Sequence, residues 1–177
     1  MQDQHEVLAP RSIVPYSSAR PIRQILSERV RSLDILDVGC IDHSAEMLLR
    51  EPDRWLHAAM CKSAKSVTGL DILADEAAKL NSQGFRIIAG DACVSDLGRR
   101  FDAIVAGEII EHIDTPGTFL RNMRRHLAPG GKLYVTTPNV FFLLHMLESV
   151  FSRPENRWNA QHVAWYEPCL LYTSRRG

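Results

Sequence analysis

Along the chain, short apolar runs alternate with stretches of helical spacing. "SARPIRQILSERVRS", Ser18 to Ser32, sets Ile22, Ile25, Leu26 and Val30 on one face of a helix. Leu33 to Val38 reads as a short buried strand. "HSAEMLLREPDRWLHAAMCKSA" has helical spacing again, with Pro52 placed to break or restart it. "KSVTGLDI" is a second strand, and "DEAAKLNSQG" a helix closed by Gly84. "FRIIAGDA" and the nearly continuous apolar run "FDAIVAGEII" supply the third and fourth strands. "TPGTFLRNMRRHL" is a helix striped by Phe119, Met123 and Leu127, and "GGKLYVTTPN" is a fifth strand after a Pro-Gly-Gly turn. Strands alternating with helices predict the α/β class, a doubly wound and mostly parallel sheet covered on both faces. Residues 1–17, polar and punctuated by proline, predict an arm, and residues 18–177 one domain.

Ligands of such sheets bind outside the carboxyl ends of the strands, near the point where strand order reverses. The predicted strand ends are Asp37-Val38-Gly39-Cys40, Asp71-Ile72, Gly90-Asp91-Ala92, Gly107-Glu108 and Thr136-Thr137-Pro138-Asn139. A lone acid at a strand end is commonly a helix cap, but here successive strands deliver one to the same rim. A carboxylate after the second strand suits the vicinal hydroxyls of a ribose. One after the third suits an adenine amino group, which needs an acceptor. Glycine at position 39 lets backbone approach a ligand closely. Together these features describe a pocket for an adenosine-containing ligand.

The turn after the first strand is unusual for such a pocket. It reads Gly39-Cys40-Ile41-Asp42-His43, with a single glycine where two or three are common. A β-branched residue disfavours a left-handed turn, so either the loop follows another path or the Ile41 side chain points away. Trp55, Leu56 and His57, in the long stretch before the second strand, are placed to pack over it.

Composition narrows the function classes. With 21 acidic and 21 basic residues in 177, no global field attracts nucleic acid or an anionic membrane. The four cysteines contain no C-x-x-C pair, which argues against structural zinc and for a reducing compartment. No apolar run reaches signal-peptide or membrane-spanning length, so the expected location is cytoplasmic.

"ILDVGC", "VTGLDI", "IIAGDA", "FDAIVAGEIIEHI" and "HLAPGGKLYVTTPN" resemble, in order and spacing, the successive motifs of class I S-adenosylmethionine-dependent methyltransferases. The resemblance covers roughly Leu33 to Asn139, the cofactor-binding core at about 33–139. It extends through "QHVAWYEPCLL" into a partial acceptor region at 140–177, similar there to several small-molecule members. It implies a Rossmann-like methyltransferase fold with S-adenosylmethionine as cofactor. Asp37, Gly39 and Cys40 would then line its methionine and ribose side, and Asp71 would bind the ribose hydroxyls. Ile72 would lie against the adenine, Asp91 would face the adenine amino group with Ala92 beside it, and Glu108 would sit near the methyl group. The family usually continues its turn with further glycines, whereas this chain has Ile41 and His43. The ligand lacks a pyrophosphate, so a dense glycine cradle is less necessary.

A second constellation lies in "GEIIEHI". If this stretch is a helical turn, Glu108, Glu111 and His112 share a face and can converge on a divalent ion, Mg²⁺ through the carboxylates or Zn²⁺ through the imidazole. His162 is a candidate fourth ligand. The pattern resembles the metal-binding residues of ubiquinone-pathway and small-RNA O-methyltransferases, and many metal-free relatives also carry "E-H" here. Methyl transfer itself is chiefly in-line positioning. An oxygen acceptor benefits from a base, for which His112 and His162 are the candidates. His145, in an apolar run, reads as a core or pocket residue. The Asn/Asp-Pro-Pro-aromatic tetrad used on nucleobase and amide nitrogens is replaced by "TTPN". The "RNMRRH" cluster reads as a solvated helix face. Trp158, Trp165 and Tyr166 suit either an acceptor pocket or the core.

The expected activity is therefore methyl transfer to a hydroxyl of a small molecule or glycan, with no nucleic-acid or membrane partner. Strands six and seven of the family are missing from this stretch, which leaves the fifth strand as a sheet edge through which two copies could pair. Two other readings stand beside this one. A non-catalytic or truncated methyltransferase-like binding module is consistent with Ile41 and the short carboxyl end. A nucleotide-dependent dehydrogenase would need the G-x-G-x-x-G that this sequence lacks.

Overall fold

The computed structural model describes residues 22–42, 44–138, 163, 164 and 166. Within them lie helix α1 (Ile22–Arg29), strand β1 (Asp34–Val38), helices α2 (Ala45–Arg50) and α3 (Leu56–Cys61), and strand β2 (Ser66–Asp71). Helix α4 (Ala74–Ser82), strands β3 (Ile87–Ala89) and β4 (Phe101–Gly107), helix α5 (Pro116–His126) and strand β5 (Leu127–Thr136) follow. The strands form one sheet in the order β3-β2-β1-β4-β5, and every pairing is parallel. The order runs one way from β1 to β3 and the other way from β1 to β5, so the reversal falls between β1 and β4.

Side chains that alternate along β1 and β4 are buried on both faces. Leu36 and Val38 of β1 and Ile104 and Ala106 of β4 pack with Phe119 and Met123 of α5. Ile35, Ala103 and Val105 face Leu26 and Val30 at α1 and Met60 of α3. The alternation places Asp37 on the same side as Ile35, beneath α3. In register Asp37 lies between Gly69 of β2 and Val105 of β4, at the centre of the sheet.

Several element limits differ from the sequence expectation for local reasons. At Pro52, by contrast, the helix breaks where the sequence predicts, with a 3-10 turn (Pro52–Arg54) separating α2 from α3. Ser44 caps α2 by accepting from the Met47 amide at 3.3 Å. Strand β3 is shorter than 85–92, because Asn81 pairs with both the amide (2.7 Å) and the carbonyl (2.8 Å) of Ile87. Strand β5 starts earlier than residue 130, since a register shift lets Leu127 pair with Phe101. Strands β3 and β5 are the two edges of the sheet among the described residues. Among them, no helix is long and apolar enough to cross a membrane.

Candidate cofactor site

The carboxyl end of β1 is held by backbone geometry. Gly39 has φ +69°, and its amide donates to the Leu70 carbonyl at 2.9 Å. A Cβ at position 39 would lie 2.7 Å from Cδ1 of Ile109. The close approach that requires glycine is therefore to the loop after β4, across the reversal point. Sequence reasoning had assigned that closeness to the ligand.

Ile41 resolves the question of the glycine-poor turn. Its backbone is not left-handed. Its side chain is buried among Ala45, Leu48, Trp55 and Leu80. Its amide donates to Asp71 Oδ2 at 2.8 Å. The side chain thus turns into the core and leaves the turn's ligand side to backbone. Trp55 Nε1 adds a bond to the Cys40 carbonyl at 2.6 Å. This turn is fixed by three hydrogen bonds from or to neighbouring elements. His43 lies outside the described residues.

Asp71 is buried and accepts from backbone on both oxygens, from Ile41 on Oδ2 and from Leu73 on Oδ1 at 3.1 Å. A carboxylate offers about four lone-pair sites, so each oxygen keeps capacity for a hydroxyl donor. Beside it Ile72 is 73% exposed, and Val94, in the loop after β3, 71%. Large apolar side chains this open, on the rim where the acids gather, fit the faces of a flat heterocycle. Asp91 is exposed, with Oδ1 accepting from the Cys93 amide at 2.7 Å. Ala92 packs its methyl into the core with Phe119, so only its backbone faces the rim. Glu108 is exposed at φ +52°, and its amide donates to the Thr136 carbonyl at 3.0 Å.

Two residues that hold this rim went unrecognised in the sequence. Asn122 and His126, in the cluster read as a solvated helix face, are both buried. Asn122 Nδ2 donates to the carbonyls of Ala92 (3.0 Å) and Ser95 (2.9 Å). His126 Nε2 accepts from the Leu97 amide at 3.0 Å, while Nδ1, which must carry the hydrogen, donates to the Asn122 carbonyl at 2.9 Å. Helix α5 thereby clamps the loop that presents Asp91. The i,i+3,i+4 spacing of Phe119, Asn122, Met123 and His126 was the available signal.

Beneath the turn, His57 is completely buried, and Nδ1 lies 2.9 Å from Asp37 Oδ2. Burial alone would lower the imidazole pKa. The hydrogen bond to Asp37, the nearby Cys61 thiol and the Asp37 charge outweigh it and raise the value from 6.5 to about 9. Burial, with the charges of Asp37 and Asp71, pushes the Cys40 thiol well above its ordinary range. Asp37, Cys40 and His57 are the set of three such groups whose donor atoms lie within 4.8 Å of one another among the described residues. Two ligand atoms on a tetrahedral zinc stand about 3.4 Å apart. The shorter Asp37–His57 separation is that of a shared proton.

The E-x-x-E-H stretch does not form the expected single helical face. Glu108 leaves the strand in the left-handed region, and only Ile110–His112 make a 3-10 turn. Glu108, Glu111 and His112 therefore form no comparable donor set. Glu111 is 1% exposed, and its Oε2 finds no partner among the described residues. Its carbonyl accepts from the amides of Val163 (2.8 Å) and Ala164 (3.2 Å). Val163 and Ala164 are thus brought against this turn, with Tyr166 close enough for Glu111 to raise its phenol pKa after burial has done so. His162, the candidate fourth ligand and base, lies outside the described residues, as do His145, Trp158 and Trp165.

Comparison with known proteins agrees with this architecture. The chain is 33% identical over 129 residues to the mitochondrial ubiquinone biosynthesis O-methyltransferase of Homo sapiens, covering 68% of this chain and 32% of that protein. It thus spans about a third of that relative's length, and 41% of the corresponding Caulobacter vibrioides protein. Among solved structures it resembles an amino pentose methyltransferase from Micromonospora echinaspora with S-adenosylmethionine bound (25% identity, TM-score 0.52, 66% of this chain and 49% of that one). The N-methyltransferase NodS of Bradyrhizobium japonicum shares the fold (19% identity, TM-score 0.53, 86% and 76% covered). The family model described as a methyltransferase domain matches residues 11–169. The chain belongs to the class I S-adenosylmethionine-dependent methyltransferases.

Proposed function

We propose that this chain binds S-adenosylmethionine at the carboxyl rim of β1, β2 and β3 and transfers its methyl group to a hydroxyl oxygen of a small-molecule or glycan acceptor. The observation that carries the reading is the run of strand-end acids, Asp37, Asp71 and Asp91, around the exposed Ile72 face. Oxygen as acceptor atom is supported by relatives named as O-methyltransferases, and a sugar acceptor by the amino pentose methyltransferase.

When bound, the cofactor supplies an electrophilic methyl on a sulfonium leaving group. The protein's part is to orient it and to take a proton. Asp71, held still by its backbone bonds, would accept from the ribose hydroxyls, and Asp91 would accept from the adenine amino group. Asp37 would offer counter-charge to the cationic amino-acid end, with Gly39 and Cys40 beside it, and Glu108 would border the methyl. Toward an acceptor hydroxyl placed in line with that methyl, His112 or His162 would accept the proton the oxygen must lose. The acidic side chains of the E-x-x-E-H stretch diverge, so no step is assigned to a metal.

Calorimetric titration tests this. The chain should bind S-adenosylmethionine and S-adenosylhomocysteine with micromolar dissociation constants and show no binding of NAD. Asp71→Asn, which keeps one backbone acceptor, should weaken both about tenfold or more. Binding followed by methylation of phenolic or sugar hydroxyls supports the enzyme. Binding without transfer to any acceptor class, or no binding by the folded chain, would favour the binding-module reading instead.

A further inference from the structure

We propose that His57 is a positioning residue of the cofactor site, fixing the Asp37 carboxylate as the counter-charge to the amino-acid end of the cofactor. The inference rests on the cofactor reading above and assigns a role to a side chain that never reaches the rim.

Asp37 sits at the middle of a parallel sheet, 3% exposed, where the strand ladders use the backbone and leave nothing for its side chain. A buried carboxylate without a partner is costly, and it settles either by neutralising or by moving. Burial raises the Asp37 pKa, and His57 Nδ1, 2.9 Å from Oδ2, opposes that rise and fixes the carboxylate's position. The imidazole is itself held by packing: Trp55 stacks on it with centroids 5.1 Å apart and planes at 25°, and Phe85 lies across both rings. Its other nitrogen, Nε2, is buried and has no hydrogen-bond partner among the described residues, so the ring's orientation comes chiefly from that stack and from Asp37.

The sheet makes room for this arrangement at Gly69, where a Cβ would come within 2.6 Å of Cys40 Sγ and 3.2 Å of His57 Cε1. The same short segment sends Trp55 Nε1 to the Cys40 carbonyl. Residues 55 and 57 therefore grip the turn at two points, one on the carboxylate and one on the backbone.

The test compares His57→Asn and His57→Gln, which place an amide donor where Nδ1 and Nε2 stood. Each folded variant is titrated with S-adenosylhomocysteine and with methylthioadenosine, which has the same nucleoside but no amino acid. The Gln variant should lose roughly tenfold in affinity for S-adenosylhomocysteine and keep its affinity for methylthioadenosine, as expected for one displaced charge-assisted hydrogen bond. The Asn variant should stay within about threefold of the parent for both ligands. Equal loss of both ligands would reduce His57 to a structural residue and overturn the proposal, as would parental affinity in the Gln variant. If the Gln variant does not fold, a tenfold loss of S-adenosylhomocysteine in the Asn variant overturns it. A parent chain that binds neither ligand overturns the cofactor reading, and this proposal with it.

Discussion

At Ile41 the side chain and the backbone do separate jobs. The side chain fills the space between α2, Trp55 and α4, while the amide fixes Asp71. Ile41→Ala should therefore cost about 2–4 kcal/mol of stability, the usual range for emptying a buried aliphatic site, measured by urea unfolding. S-adenosylhomocysteine affinity should stay level or fall, and tighter binding would mean that the isoleucine obstructs the pocket after all. His57 sets a pH dependence at the same scale. Its pKa is near 6.5 when unfolded and about 9 when folded, so the folded state holds the extra proton between those values. The stability it contributes is complete below pH 6.5 and disappears as pH rises through 9. The urea midpoint should decline across that interval, and Asp37→Asn should flatten the decline.

Helix α5 acts on the cofactor rim as an element, because one face of it carries both core and clamp. Phe119 and Met123 anchor it to the sheet, and Asn122 and His126 reach the loop from 92 to 97. Asn122→Ala leaves two carbonyls without their partner and should cost about 1–3 kcal/mol. Hydrogen exchange should quicken in residues 92–97 while the β1–β4 amides keep their protection, and uniform quickening would show global loosening instead. The strands were legible because near-continuous apolar runs such as "AIVAG" have few alternatives in a chain this long. The strand-end acids followed from the same runs. The partners of those acids were not legible. Nothing local to position 57 announces a bond to position 37, and Asn122 and His126 were hidden among arginines that do face solvent. The E-x-x-E-H motif misled for a related reason: spacing implies convergence only when the backbone is helical, and Glu108 is not.

For the whole molecule, the sheet order has a consequence for how the chain acquires its shape. The pairing of Ile35 with Ala103 joins β1 to β4 across more sequence than any other ladder in the sheet. Closing a longer loop costs more entropy, so this ladder is expected to form late. The Gly39–Ile109 contact spans the same junction, and the cofactor would sit on it. A ligand that seals the last-formed junction stabilises contacts absent from the folding barrier. Stopped-flow measurements should then show S-adenosylhomocysteine slowing unfolding in proportion to its binding, with little change in the refolding rate. In a cell, occupancy would lengthen the lifetime of the assembled sheet without hastening its assembly, making metabolite supply a determinant of how long each copy persists.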